Sequence, residues 1–183
     1  MSIRCQAAIL VEPNKPLVVD DVEIPDPGPD QVLVKLFSSG ICHSQLHTMR
    51  RPLRPGHRLP VLLGHESTGV VAAKGRDVTH VKEGDHVITT WVDRDNSTTT
   101  QPLVAHALND RAQSMAHWQG KEVLHSAATW AEYALASDRV VVGMPKDIPT
   151  DVTPIIGCAV MSGGGAGFPP AFADRPGPDA PGN

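Results

Sequence analysis

The chain has 183 residues, enough for one domain with a real core, and its 16 Lys and Arg against 20 Asp and Glu leave a net charge of -4, which speaks against a nucleic-acid groove or an anionic membrane surface. Hydrophobic content is 40% and aromatic content 4%, so the core is expected to rest on Val, Leu, Ile and Ala; no apolar run nears the roughly 20 residues that span a bilayer, and the first residues lack the apolar stretch of a secretory signal. Three cysteines, Cys5, Cys42 and Cys158, do not make a disulfide framework, and a reducing cytoplasm is the expected compartment.

The first part of the chain reads as strands. Ala7 to Val11 is a short apolar run, and Leu17-Val18-Val19 follows the turn Glu12-Pro13-Asn14-Lys15-Pro16. Pro25, Pro27, Gly28 and Pro29 break the chain again, after which Val32, Val34 and Leu36 alternate with polar neighbours at the period of a half-buried strand. Strand, turn, strand with prolines at the turns points to a small β-barrel or sandwich rather than a parallel α/β unit.

Gly40 closes the third strand, and Cys42 to Arg50 reads as a short helix. On it Ser44 and His47, three apart, are neighbours. Arg50 to Pro55 is a basic, proline-broken loop, expected to be a solvated connector. Strands are expected over 67 to 74 and 86 to 91, with Gly84-Asp85 as the turn before the second. Residues 93 to 129 carry little pattern; Val104, Leu108, Ala112 and Met115 have helical spacing and predict a surface helix. His106, His117 and His125 are expected to be solvated rather than ligands. Trp130 to Ala136 and Val140 to Val142 return to strand. Thr150 or Asp151 is placed to cap a helix that runs through Pro154, Cys158 and Met161. The run Gly163-Gly164-Gly165 reads as a loop. From Gly167 five prolines, at 169, 170, 176, 178 and 181, predict a disordered tail over 167-183.

Cys42, His65 and Cys158 give two thiols and an imidazole, a ligand count that suits a catalytic zinc with one position open. Such a metal acts as a Lewis acid on an alcohol oxygen. Taken singly, each residue has a plainer reading, since a free Cys behaves as a small buried hydrophobe.

The local words around the three carry more. Gly40-Ile41-Cys42-His43-Ser44, Gly64-His65-Glu66, Gly84-Asp85-His86-Val87 and Ile156-Gly157-Cys158 resemble the successive signatures of the zinc-dependent, medium-chain alcohol dehydrogenases. The likeness covers about residues 5 to 166 and implies a GroES-like catalytic domain, mainly β with a few helices, folded as a partly open β-barrel over residues 1-166. It implies Cys42, His65 and Cys158 as zinc ligands and Glu66 as an acid beside the metal. Ser44 would take the alcohol proton, and His47 would pass it to solvent; their helical spacing suits such a relay. His43 would face the cofactor pyrophosphate. Trp91 would wall the substrate pocket, with ordinary strand packing an equal alternative. The implied reaction is NAD(P)-linked interconversion of an alcohol and an aldehyde or ketone.

Three departures from that pattern stand out. Asp93 to Gln113 contains no cysteine, so a second, structural zinc is not expected. Gln45 stands where the family carries an aspartate that orients the ligand histidine. It could still accept a hydrogen bond through its amide oxygen, but without charge, and weaker zinc binding is expected. No G-x-G-x-x-G follows a strand, so no Rossmann domain is expected in this chain. The expectation is a truncated alcohol dehydrogenase, inactive or nearly so by itself. The alternative is a stand-alone GroES-like module that binds zinc or a partner protein without catalysis. Substrate, choice of NAD or NADP and oligomeric state stay open.

Overall fold

The structure, a computed structural model, describes residues 2–50, 59–92, 114–125 and 127–167. Its strands are β1 (Ser2–Leu10), β2 (Val18–Pro25), β3 (Gln31–Ser39), β4 (Val61–Leu62), β5 (Ser67–Lys74), β6 (His86–Thr89), β7 (Ser114–Trp118), β8 (Lys121–His125), β9 (Tyr133–Ser137) and β10 (Val141–Gly143). Two α-helices accompany them, α1 (His43–Arg50) and α2 (Ala159–Gly167). None of the described helices is long and apolar enough to cross a membrane.

β1, β2, β7, β8 and β4 close on one another as a barrel, with β4 pairing antiparallel to β1 and parallel to β8. The other five form an open sheet in the order β10-β6-β5-β3-β9. The strands alternate as their sequences require. Cys5, Ala7 and Ile9 of β1 and Val22 and Ile24 of β2 point inward with Leu62, Ala116 and Val123. Fully burying a Val or Ile contributes about 1.5–3 kcal/mol, so this one-sided pattern also fixes the register.

β3 divides the interior. Leu33 packs into the barrel core, while its neighbours Val32 and Val34 pack on the other face against Val71, Val78, Val87 and Val141. β9 does the same with Leu135 on one side and Ala136 on the other. The middle of β3 is therefore apolar at three successive positions, as a strand buried on both faces must be.

Several details depart from the sequence reading. Met115, the last residue of the expected surface helix, lies in strand β7, paired with Leu124 of β8; the rest of that helix falls outside the described residues. Gln119 (φ 50°) and Gly120 (φ 74°) form the turn of this hairpin, both in the left-handed region that favours a two-residue turn between twisted strands. The expected helix through Cys158 is two pieces: a 3-10 turn, Thr153–Gly157, with Pro154 in its first turn, and then α2. Neither Thr150 nor Asp151 caps it. The residue before the turn is Val152, which makes no side-chain cap. The Thr150 carbonyl is instead occupied by the hydroxyls of Ser38 and Thr68. Gly163-Gly164-Gly165 is helical, inside α2, and not a loop. Residues 168–183, where a tail was expected, lie outside the described residues, while Gly167 closes α2.

Candidate metal centre

Three separate stretches of the chain deliver one thiol, one imidazole and a second thiol to the same place. The first is the exit of β3. Gly40 donates its N–H to the Glu66 carbonyl at 3.0 Å, and its carbonyl accepts the Trp130 indole N–H at 3.0 Å. A Cβ on Gly40 would lie 2.6 Å from the Glu66 carboxyl, so only glycine lets the two strands meet there. Two residues on, Cys42 caps α1. Its carbonyl accepts the Gln45 N–H at 3.1 Å, and the Gln45 side chain reaches back to take the Cys42 N–H at 2.8 Å. That return bond is half of a capping box. The far end of α1 is tied down too, with the Asn14 N–H donating to the Met49 carbonyl at 2.7 Å.

The second stretch is Gly64-His65-Glu66, immediately before β5. Gly64 has φ +99°, and a Cβ there would lie 2.3 Å from the Thr129 hydroxyl. The backbone can thus turn His65 toward α1. Glu66 is 2% exposed. Its carboxylate accepts the Ala159 N–H at the start of α2, yet Oε2 is buried with no hydrogen-bond partner among the described residues. Burial pushes Glu66 above the usual carboxylate range, and the Ala159 N–H offsets only part of that.

The third stretch carries Cys158, between the 3-10 turn and α2. The Thr90 hydroxyl donates to the Gly157 carbonyl at 2.7 Å, and the Thr153 hydroxyl to the Pro149 carbonyl at 2.7 Å. The Ser67 and Thr89 hydroxyls pair at 2.6 Å between the strands beneath. Of these hydroxyls, that of Thr90 fastens the Cys158 segment to the chain just after β6, that of Thr153 holds the segment's own turn, and the Ser67–Thr89 pair ties β5 to β6. They carry no sequence signal, because isolated Ser and Thr in strands look the same whether or not they hold a loop.

The outcome is compact. One ligand atom each from Cys42, His65 and Cys158 lies within 4.8 Å of the others. The two Sγ atoms are 3.7 Å apart, with the Cys158 thiol donating to Cys42. Burial would raise the Cys42 thiol, but the Ser44 hydroxyl and N–H and the Cys158 thiol outweigh it and hold Cys42 below the ordinary thiol range. Burial and then the Cys42 sulfur push Cys158 up to about 11. Burial also lowers His65, so it is a neutral imidazole near neutral pH. Its Nε2 is buried with no hydrogen-bond partner among the described residues. A buried, neutral nitrogen without a partner beside two thiols fits a zinc ion, which takes such soft and borderline donors at tetrahedral positions.

The other expected site residues lie on the same elements. His43, Ser44 and His47 are exposed on α1. The Ser44 hydroxyl bonds the Cys42 sulfur. The His43 and His47 rings meet edge to face, with centroids 4.6 Å apart. Trp91 lies two residues beyond β6 and is half-buried, and its indole Nε1 has no hydrogen-bond partner among the described residues. Its neighbour Thr90 is the residue bonded to Gly157. Gln45 differs from expectation. Its oxygen serves the Cys42 N–H, and its amide nitrogen, not its oxygen, meets His65 Nδ1 at 2.8 Å.

A profile for the alcohol dehydrogenase GroES-like domain matches residues 28–146. The chain belongs to this family. Among curated relatives, alcohol dehydrogenase class-3 of Drosophila melanogaster is 29% identical over 184 residues, covering 90% of this chain and 47% of that protein. Putative alcohol dehydrogenase D of Mycobacterium tuberculosis is 32% identical over 176 residues, covering 89% and 47%. The chain thus spans about half the length of the curated relatives it matches. Among solved structures, an alcohol dehydrogenase zinc-binding domain protein from Burkholderia ambifaria superposes with a TM-score of 0.79 at 26% identity, over 97% of this chain and 51% of the other. Benzyl alcohol dehydrogenase from Acinetobacter calcoaceticus gives 0.76 at 28% identity, over 90% and 47%. The fold is the mainly β, GroES-like domain expected from the sequence, and no Rossmann domain lies within the part matched.

Proposed function

We propose that this chain provides the metal-holding and proton-handling half of a zinc-dependent alcohol dehydrogenase acting on a small alcohol or carbonyl compound with NAD(P). The observation that carries this reading is the gathering of Cys42, His65 and Cys158 from three segments onto one point, with their ligand atoms within 4.8 Å. Bound there, one zinc ion would supply Lewis acidity toward an alcohol oxygen.

The remaining work falls to the chain itself. Cys42 and Cys158 would provide the two negative charges and His65 the neutral donor. Ser44 stands one turn from His47 on the exposed face of α1, an arrangement in which a hydroxyl takes a proton from the substrate and an imidazole hands it to water. His43, edge to face with His47 and exposed, would meet the anionic end of a dinucleotide. Trp91, an aromatic at the mouth of β6, would bound the substrate and favour flat or slender alcohols. Glu66 would lie beside the metal as an additional acid. Residues 1–166 are the domain in this reading.

A chimera tests it. Residues 1–166 would replace the matching segment of the Acinetobacter benzyl alcohol dehydrogenase. The expected result is NAD(P)-dependent oxidation of a primary alcohol, slowed about 100-fold or more by Ser44→Ala, as loss of a proton-transfer group should do. A folded, zinc-loaded chimera without turnover would contradict the proposal.

A further inference from the structure

Gln45 makes two hydrogen bonds that together fix where the proton of His65 sits. The residue is 4% exposed, so water does not compete for either bond. Its Oε1 is 2.8 Å from the Cys42 backbone nitrogen, and its Nε2 is 2.8 Å from His65 Nδ1. A backbone N–H can only donate, so the amide atom that faces Cys42 has to be the carbonyl oxygen. The amide NH2 therefore faces His65. It too can only donate, so Nδ1 must be the bare, accepting nitrogen. A neutral imidazole has one ring proton, which then resides on Nε2.

That arrangement conflicts with metal binding. Nε2 is the ring nitrogen that is buried without a partner, while Nδ1 is engaged by Gln45. To offer a lone pair to a metal, Nε2 must be free of hydrogen, and the ring proton must move to Nδ1. An Nδ1–H would point at the amide NH2, donor against donor. Turning the amide over gives Nδ1–H its acceptor but sets the NH2 against the Cys42 N–H. Neither orientation serves both neighbours. A carboxylate, which accepts at both oxygens, would serve both.

We propose that Gln45 is a positioning residue that holds metal-free His65 as the Nε2–H tautomer, so that loading the site requires its amide to turn over and give up the Cys42 N–H. The inference rests on the zinc reading for its consequence but not for the tautomer itself. A Gln45 that merely capped α1 would leave the ring proton of His65 indifferent.

The test uses the full chain, reduced and metal-free, with 15N-labelled histidine. Long-range 15N–1H spectra report which ring nitrogen carries the proton, with His65 assigned by its loss in His65→Asn. Zinc affinity is read separately by competition with a chelator, for the wild type and for Gln45→Glu. The expected outcome is Nε2–H in the wild type, a proton on Nδ1 in Gln45→Glu, and zinc affinity in that variant higher by about 10- to 100-fold. An Nδ1–H tautomer in the wild type overturns the proposal, as does unchanged zinc affinity in a folded Gln45→Glu. Should that variant fail to fold, the wild-type spectrum alone decides the tautomer. Zinc bound by neither protein removes the zinc reading, while an Nε2–H signal still upholds the tautomer.

Discussion

Cys158 donates its thiol hydrogen to Cys42 Sγ across 3.7 Å, although 116 residues separate them in the chain. The pair is unequal. Cys42 keeps a lowered pKa because Ser44 and Cys158 both donate to it once the cost of burial is met, and Cys158 is pushed up to about 11. In the metal-free chain Cys42 is therefore the first of the two to ionise. Alkylation by iodoacetamide at pH 7–8, followed by peptide mass analysis, should label Cys42 well ahead of Cys158 and of the core-buried Cys5. Ser44→Ala, which removes one donor, should move the Cys42 labelling profile to higher pH. Faster labelling of Cys158 would contradict this ordering.

Zinc affinity should rise with pH. A thiol must lose its proton to become a ligand, so each one still protonated adds one proton to the release. Cys158, pushed up to about 11, is protonated through the neutral range and contributes one. Cys42, lowered, contributes a fraction that falls as pH rises through its own pKa. His65, lowered by burial, is already neutral and releases none. The logarithm of the association constant should therefore climb with pH, with a slope of about two below the Cys42 pKa that falls toward about one above it. Chelator competition at several pH values measures it, and a slope near three would mean that His65 is charged.

Glu66→Gln should stabilise the metal-free chain at neutral pH. Burial raises the Glu66 pKa in the folded state. A raised folded-state pKa contributes stability that is fully present below the unfolded value and is lost as pH rises through the folded value. Above that folded value the chain carries a buried carboxylate whose Oε2 has no partner among the described residues. An amide is less costly to bury than that charge. Urea titration should show Glu66→Gln more stable by about 1 kcal/mol or more at pH 7, with the difference shrinking toward pH 4. Equal loss of stability at both pH values would contradict this, since the amide oxygen of Gln can still accept the Ala159 N–H.

Much of this was legible in the sequence, for identifiable reasons. Val32, Val34 and Leu36 gave away β3 by alternation, and the proline turns gave away the strand boundaries before it. The short words around Cys42, His65 and Cys158 pointed to one cluster that no periodicity could have assembled. The β7–β8 hairpin was hidden because Gln119-Gly120 is a weaker turn signal than Asn-Gly, and because Met115 happened to fall at helical spacing from Ala112 and Leu108. The run Gly163-Gly164-Gly165 disguised α2 as a loop, since each glycine in a helix costs about 1 kcal/mol relative to alanine. Thr150 looked like a cap, but in the folded chain its carbonyl serves Ser38 and Thr68, a tertiary use that no local rule anticipates. The orientation of the Gln45 amide was equally invisible, being set by a backbone N–H three residues away.

The most direct test of the account is the zinc content of the purified chain, measured by elemental analysis beside Cys42→Ala. The account predicts about one zinc per chain in the wild type and none retained in the variant. Zinc absent from both proteins, or retained undiminished without Cys42, would contradict it.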